Sequence, residues 1–191
     1  VKPADVLGFS LAMRPCYEGS VTSVLAHHLK AGEVFVDVGA NWGWFTLYAA
    51  KLLHAGRVFA VEPQAELAVL IRRAAEWNRL DNVTVLEAAA ADRPSRGVLE
   101  SDWEGNSGFV RAVATNGLKD PVRVVTLDQE LGEVTPGVVK IDVEGGELRV
   151  LRGMRSLLGR SALSTLIVEV HPQKMARLGD SAGQLSSLLR E

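Results

Sequence analysis

Cysteine is almost absent from the sequence: Cys16 is the only one among 191 residues. A lone cysteine excludes an internal disulfide and any metal site built from several thiolates, and it agrees with a reducing compartment. No signal peptide is visible, so we expect a cytoplasmic protein. Runs of about 18–20 apolar residues are lacking as well, which predicts that the chain does not enter a membrane.

An excess of either charge is also lacking, since 21 lysine and arginine residues face 23 aspartate and glutamate residues. The basic residues are scattered, as is typical of solvated helix faces. The formal net charge of −2 therefore gives no electrostatic reason to bind nucleic acid or an anionic membrane surface. Repeats, low-complexity tracts and linkers rich in glycine, serine or proline are not found, so we expect a single domain over residues 1–191.

The sequence does contain a regular alternation of short apolar runs with helical stretches. This pattern predicts an α/β domain with a mostly parallel central sheet and helices on both faces. The expected strands are residues 33–38, 57–62, 83–87, 138–142 and 163–170. The expected helices are residues 44–53, 63–78, 126–131, 145–158 and 173–191, and residues 1–30 form an N-terminal cover whose helix, 19–30, packs on the sheet edge and partly covers the site.

Residues 92–125 break this alternation, and we interpret them as a small β-rich insertion. Strand-like runs occur at residues 98–100, 109–113 and 122–125. A turn rich in glycine, at residues 105–108, separates the first two runs. The pattern therefore predicts a hairpin, which we expect at the active-site end of the sheet.

Polar or acidic residues follow each predicted strand at the point where its apolar run ends. In an open parallel sheet the carboxyl ends of the strands meet at one edge, where ligands bind. After the first strand, Gly39 allows a tight turn and Gly43 a close approach between the next helix and a ligand. Backbone N–H groups at this helix start can hold a carboxylate or phosphate. The alternative is that the loop is only a tight structural turn.

Glu62 ends the second strand, 23 residues after Gly39. A carboxylate at this place accepts hydrogen bonds from the two hydroxyls of a ribose, so the loop and Glu62 together predict a nucleoside-containing ligand. Asp37 precedes the loop, and its charge disfavours the pyrophosphate of NAD but suits the ammonium and sulfonium of S-adenosylmethionine. A structural role for Asp37 stays open. A nicotinamide-dependent oxidoreductase is the alternative enzyme class.

Two further strand ends carry groups that can move a proton. Asp142 and Glu144 flank the end of the fourth strand, and His171 follows the fifth; each can orient or deprotonate a hydroxyl. The structural alternatives are that Glu144 and Glu147 only favour a helix N-terminus and that His171 is a packed histidine. Lys140 is expected to pair with an acid in the sheet. Asp142, Glu144 and His171 also offer ligands for a divalent ion, but we expect no metal.

Five segments, in this order along the chain, resemble the FkbM family of methyltransferases: residues 36–43, 61–63, 125–128, 139–147 and 168–172. The turn at residues 140–145, Lys-Ile-Asp-Val-Glu-Gly, is the most specific of them. The resemblance implies a Rossmann-like class I methyltransferase fold and an enzyme that uses S-adenosylmethionine. It also implies O-methylation of a hydroxyl on a small molecule, often a sugar or a natural product.

The resemblance assigns the predicted site residues to two groups. One group would hold the methionine part, the ribose and the adenine of the cofactor; it consists of Asp37, Gly39, Ala40, Asn41, Gly43, Glu62, Pro63, Ala89 and Asp142. The other group would face the methyl acceptor and supply catalysis; it consists of Asp142, Glu144 and His171.

Domains of this kind usually finish with an antiparallel pair of strands, and the sequence ends at Glu191, where that pair should begin. Either the chain is truncated or the closing strands are absent. An uncovered sheet edge would invite pairing with a second copy, which makes a homo-oligomer one expectation. Loss of part of the acceptor pocket would instead leave a non-catalytic nucleoside-binding module as the alternative function.

Overall fold

The computed structural model describes residues 17–99, 110–112 and 121–191. Within these residues, five parallel strands form the central sheet: β1 (Val34–Val38), β2 (Arg57–Val61), β3 (Val83–Leu86), β8 (Val138–Ile141) and β9 (Thr165–Val168). Their order across the sheet is β3-β2-β1-β8-β9. Strands β2 and β3 thus lie on one side of β1 and strands β8 and β9 on the other, so the strand order reverses between β1 and β8. Such a reversal leaves a crevice at the carboxyl ends of the flanking strands.

Helices cover both faces of this sheet, which confirms the predicted Rossmann-like α/β fold. The described residues include α1 (Gly19–His28), α2 (Trp44–Leu53), α3 (Ala65–Trp77), α4 (Leu127–Leu131), α5 (Glu147–Arg152), α6 (Arg155–Leu158), α7 (Pro172–Arg177) and α8 (Ala182–Leu188). None of these helices is long and apolar enough to cross a membrane.

Alternation along β1 separates the two layers of the core. All five residues of β1 are buried, as is typical of a central strand covered on both faces. Phe35 packs with α1 and α2, whereas Val36 and Val38 pack with helices α4 to α8. Side chains two residues apart share a face, so Asp37 lies on the same side as Phe35, next to α2.

Two predicted helices are each divided into two, and glycines explain both divisions. The stretch 145–158 is interrupted at Gly153, where an added Cβ would lie 1.9 Å from the carbonyl oxygen of Ala91. The stretch 173–191 is interrupted at Gly179, whose φ of +77° ends α7. Ser181 then begins α8 with a capping box to Gln184. Helical periodicity did not show the interruption at Gly153 because the contact with Ala91 comes from a distant segment.

The β-rich insertion is confirmed in the part that the structure describes. β5 (Ser95–Leu99) pairs antiparallel with β6 (Val110–Ala112) and with β7 (Val122–Val125). A strand that we did not predict, β4 (Ala89–Ala90), pairs parallel with β7. Two residues are too few to show a strand pattern in the sequence. The predicted turn at residues 105–108 lies outside the described residues.

Candidate active site

A cleft lies at the carboxyl ends of β1, β2 and β8, where the strand order reverses. It holds about 1010 Å³ of space, including the part open to solvent. The loop after β1, the end of β2, residues 88–92 and the turn after β8 form its walls. The sheet therefore brings together these predicted site residues, all of which line the cleft: Gly39, Asn41, Glu62, Pro63, Ala89, Asp142 and Glu144.

Packing within the protein requires both glycines of the loop after β1. Gly39 has a φ of +80°, and a Cβ there would lie 1.8 Å from the carbonyl oxygen of Asp142. Gly43 has a φ of +78°, and its Cβ would lie 2.8 Å from Cγ1 of Ile71 in α3. Gly43 thus makes room for a helix, where we expected a close approach to a ligand. Ala40 lines a smaller pocket beside the cleft.

Glu62 is fixed at the wall of the cleft by two backbone donors. Its Oε2 accepts from the N–H of Asn41 at 2.8 Å, and its Oε1 accepts from the N–H of Gln64 at 2.9 Å. Burial raises the pKa of Glu62 above its ordinary value, although these two hydrogen bonds act in the opposite direction. Each oxygen can accept one more hydrogen bond, so the carboxylate is able to bind two hydroxyl groups.

Asp37 lies beneath the loop and does not line the cleft. Its side chain is buried, and its Oδ2 accepts from the hydroxyl of Thr46 at 2.7 Å. Lys140 Nζ is 3.9 Å from Asp37 Oδ1 and 3.3 Å from Asp142 Oδ2. Burial raises the pKa of Asp37 despite the charge of Lys140 and the bond from Thr46. Lys140 therefore pairs with acids, as we expected, and links buried Asp37 to the cleft residue Asp142.

His171 lies among carboxylates at the start of α7. Its Nδ1 is 2.9 Å from Oε1 of Glu147, and its Nε2 is 3.6 Å from Oε2 of Glu144 and 3.5 Å from Oε1 of Glu169. Burial lowers the pKa of His171, but the hydrogen bond from its Nδ1–H to Glu147 and the charges of Glu144, Glu147 and Asp142 outweigh this effect. The net result is a pKa above the ordinary value, so the cluster favours the imidazolium.

The three residues of the predicted catalytic group lie close together. Asp142, Glu144 and His171 offer ligand atoms within 4.8 Å of one another, a spacing that also suits a metal ion. Lys174 donates a hydrogen bond to Oε2 of Glu144 and would compete with a cation for that oxygen. The ammonium group of Lys174 thus balances part of the negative charge of Asp142 and Glu144.

Three residues at or near the cleft, Glu147, Glu169 and Arg149, are not among the site residues predicted from the sequence. Glu147 contacts His171, Glu169 contacts the other side of the same ring, and Arg149 lines the cleft while its Nε donates to Asp180. The only sequence signal for Glu147 is an acid directly after the glycine pair of a strand-end turn. Its contact with His171 spans 24 residues and has no periodic signature.

Comparison with known sequences identifies a family. Residues 37–191 match the model of the methyltransferase FkbM domain. The hexuronic acid methyltransferase AglP of Haloferax volcanii is 31% identical over 164 residues, which are 81% of this chain and 62% of AglP. The chain therefore spans less than two thirds of the length of this relative.

Solved structures share the fold. Precorrin-6y C5,15-methyltransferase from Geobacter metallireducens GS-15 superposes with a TM-score of 0.54 and 17% identity, over 92% of this chain and 74% of that one. SMU.1697c from Streptococcus mutans, solved in complex with SAH, gives a TM-score of 0.56 and 11% identity, over 94% and 84% of the two chains. These identities establish the fold alone. The match over residues 37–191 shows that the chain belongs to the FkbM methyltransferase family.

Proposed function

We propose that this methyltransferase modifies a hydroxyl group of a sugar or a natural product. The observation that carries the proposal is that Glu62, Asp142 and Glu144 line one cleft, while His171, which is not among its lining residues, lies close to Asp142 and Glu144. We take Glu62 as the cofactor end, which is the first end, and the group of Asp142, Glu144 and His171 as the acceptor end, which is the second. The first end suits a ribose and the second suits a hydroxyl that must lose a proton. AglP, by its name a hexuronic acid methyltransferase, supports a sugar as the acceptor.

The residues at the first end fit the cofactor. Glu62 offers two buried, fixed acceptor oxygens, which match the two ribose hydroxyls. Apolar side chains of Val61, Ala89 and Val124 line the cleft nearby and suit a purine ring. Gly39 and Asn41 line the part of the cleft next to Asp142, where we place the methionine portion. S-adenosylmethionine supplies a methyl group that is activated by a positively charged sulfur.

At the second end, the protein positions the hydroxyl and removes its proton. Neutral His171 can accept that proton on Nε2 when the hydroxyl oxygen takes the methyl group that bound S-adenosylmethionine would supply. Asp142 and Glu144 can accept hydrogen bonds from the hydroxyl or from its neighbours on the acceptor, and so hold it in line. Because the positively charged sulfur already activates the methyl group, the protein accelerates the transfer mainly by holding the two reactants in position.

The test is transfer of a labelled methyl group to hexuronic acids, neutral sugars and hydroxylated natural products. We expect label on oxygen and a fall in kcat of about 100-fold or more in His171→Asn, as is usual for loss of a general base. Since the pKa of His171 is raised and the neutral ring is the base, kcat/KM should rise with pH and reach half its plateau above about pH 6.5.

The matched control is His54→Asn, a histidine that follows α2 and does not line the cleft. It should leave both kcat and the pH profile unchanged. Label on nitrogen or carbon would contradict O-methylation, and an unchanged kcat in His171→Asn would contradict the role of His171.

A further inference from the structure

Glu147 is fully buried at the first position of α5, and its carboxylate makes two polar contacts. Its Oε1 accepts from the N–H of Gly145 at 2.9 Å and lies 2.9 Å from Nδ1 of His171. Its Oε2 is buried without a hydrogen-bond partner among the described residues. Burying a carboxylate so incompletely paired is costly, and capping a six-residue helix offsets little of that cost.

The contact with Glu147 decides which nitrogen of His171 carries the proton. A carboxylate only accepts hydrogen bonds, so Nδ1 must be the N–H donor in this contact. In the neutral ring the lone pair is then on Nε2, which is the nitrogen facing Glu144 and Glu169. The basic Nε2 of the ring therefore faces Glu144, which lines the acceptor end of the cleft.

Backbone packing fixes the positions of Glu147 and His171 relative to each other. Gly145 has a φ of +111°, and a Cβ there would lie 2.7 Å from Cβ and 2.8 Å from the carbonyl carbon of Lys174 in α7. The turn before α5 thus packs directly on the backbone of α7, three residues after His171. Because this contact fixes the starts of both helices relative to each other, the pair Glu147–His171 does not depend on flexible side chains alone.

We propose that Glu147 is a positioning residue for methyl transfer: it fixes the ring of His171 with the proton on Nδ1 and leaves Nε2 to receive the proton of the acceptor hydroxyl. The inference rests on the proposed function. In this step the O–H bond of the acceptor breaks and its proton moves to Nε2, while the oxygen–methyl bond forms and the methyl–sulfur bond breaks. The charge of Glu147 then stabilises the imidazolium that results.

The first test needs no acceptor and follows the imidazole nitrogens of His171 by NMR, with His171→Asn to assign its signals. We expect the neutral wild-type ring to carry its proton on Nδ1. In Glu147→Gln the pKa of His171 should fall, because a charge that favours the imidazolium is lost, and the Nε2–H tautomer should appear. A wild-type ring protonated on Nε2, or a titration unchanged in Glu147→Gln, overturns the inference and leaves methyl transfer itself untouched.

The second test compares kinetics across three variants. Glu147→Gln should lower kcat by roughly 10-fold to 100-fold, leave KM for S-adenosylmethionine unchanged, and shift the rise of the pH profile to lower pH. Glu147→Asp keeps the charge and should recover part of kcat. If Glu147→Gln does not fold, the wild-type tautomer and Glu147→Asp still decide the matter.

The control is Asp128→Asn. Asp128 is also an acid in the first turn of a helix, and its two oxygens accept from the backbone N–H groups of Ser156 and Leu157. Its loss should lower the unfolding midpoint without moving the pH profile or the His171 signals. A profile that moves equally in both variants would reduce Glu147 to a structural role. A wild type that methylates no hydroxyl compound would overturn the proposed function and the role given to Glu147, even with the pair intact.

Discussion

Two acidic residues in this region, Glu62 and Asp37, have different roles because their surroundings differ. Glu62 and Asp37 are both acids at or near a strand end, yet Glu62 lines the cleft and Asp37 is buried under it. The sequence places Glu62 at the end of the second strand, and the structure has it on the wall of the cleft there; its binding of a ribose stays a prediction. For Asp37 the sequence favours contact with the cofactor and leaves a structural role open, whereas the structure buries its carboxylate against Thr46 and Lys140.

Lys140 should be essential to stability because it compensates buried Asp37. Lys140→Met leaves that carboxylate without its cation, and we expect the free energy of unfolding to fall by about 3–5 kcal/mol. The double variant Asp37→Asn/Lys140→Met removes the uncompensated charge and should recover part of the loss. Urea unfolding of the three proteins measures both effects. A double variant less stable than Lys140→Met alone would contradict the proposed compensation.

At the level of elements, close backbone contacts decide where strands and helices meet. The alternation in β1 predicts a central strand, and the apolar runs predict all five strands of the sheet. The loop after β1 and the end of β8 come together because Gly39 lacks a side chain, which lets its backbone reach Asp142. Such contacts join segments that are about 100 residues apart in the sequence, so local patterns do not reveal them.

Gly39 and Gly179 allow a matched test of this contact. They have similar φ angles, +80° and +77°, but an added Cβ meets the backbone of Asp142 at Gly39 and nothing within 4 Å at Gly179. Gly179→Ala should cost only the conformational penalty, about 1–2 kcal/mol. Gly39→Ala should cost clearly more in urea unfolding and should also weaken binding of S-adenosylhomocysteine. Equal losses of stability would show that the contact with Asp142 is unimportant.

At the scale of the whole molecule, sheet topology brings the site together. The reversal beside β1 places the ends of β1, β2 and β8 around one cleft, and this convergence follows from the α/β pattern of the sequence. The pair Glu147–His171 could not be predicted in the same way. It requires that the turn after β8 packs on α7, which depends on the close contact between Gly145 and Lys174.

The most direct test of cofactor binding in this cleft is a calorimetric titration with S-adenosylhomocysteine on the wild type, Glu62→Ala and Glu62→Gln. Glu130→Ala is the control, because Glu130 pairs with Arg123 and does not line the cleft. We expect the wild type and Glu130→Ala to bind equally and both Glu62 variants to bind at least about tenfold more weakly, since a charged acceptor is lost. Equal affinity of the wild type and the folded Glu62 variants would contradict the assignment of the ribose to Glu62, and with it this cleft as the cofactor site.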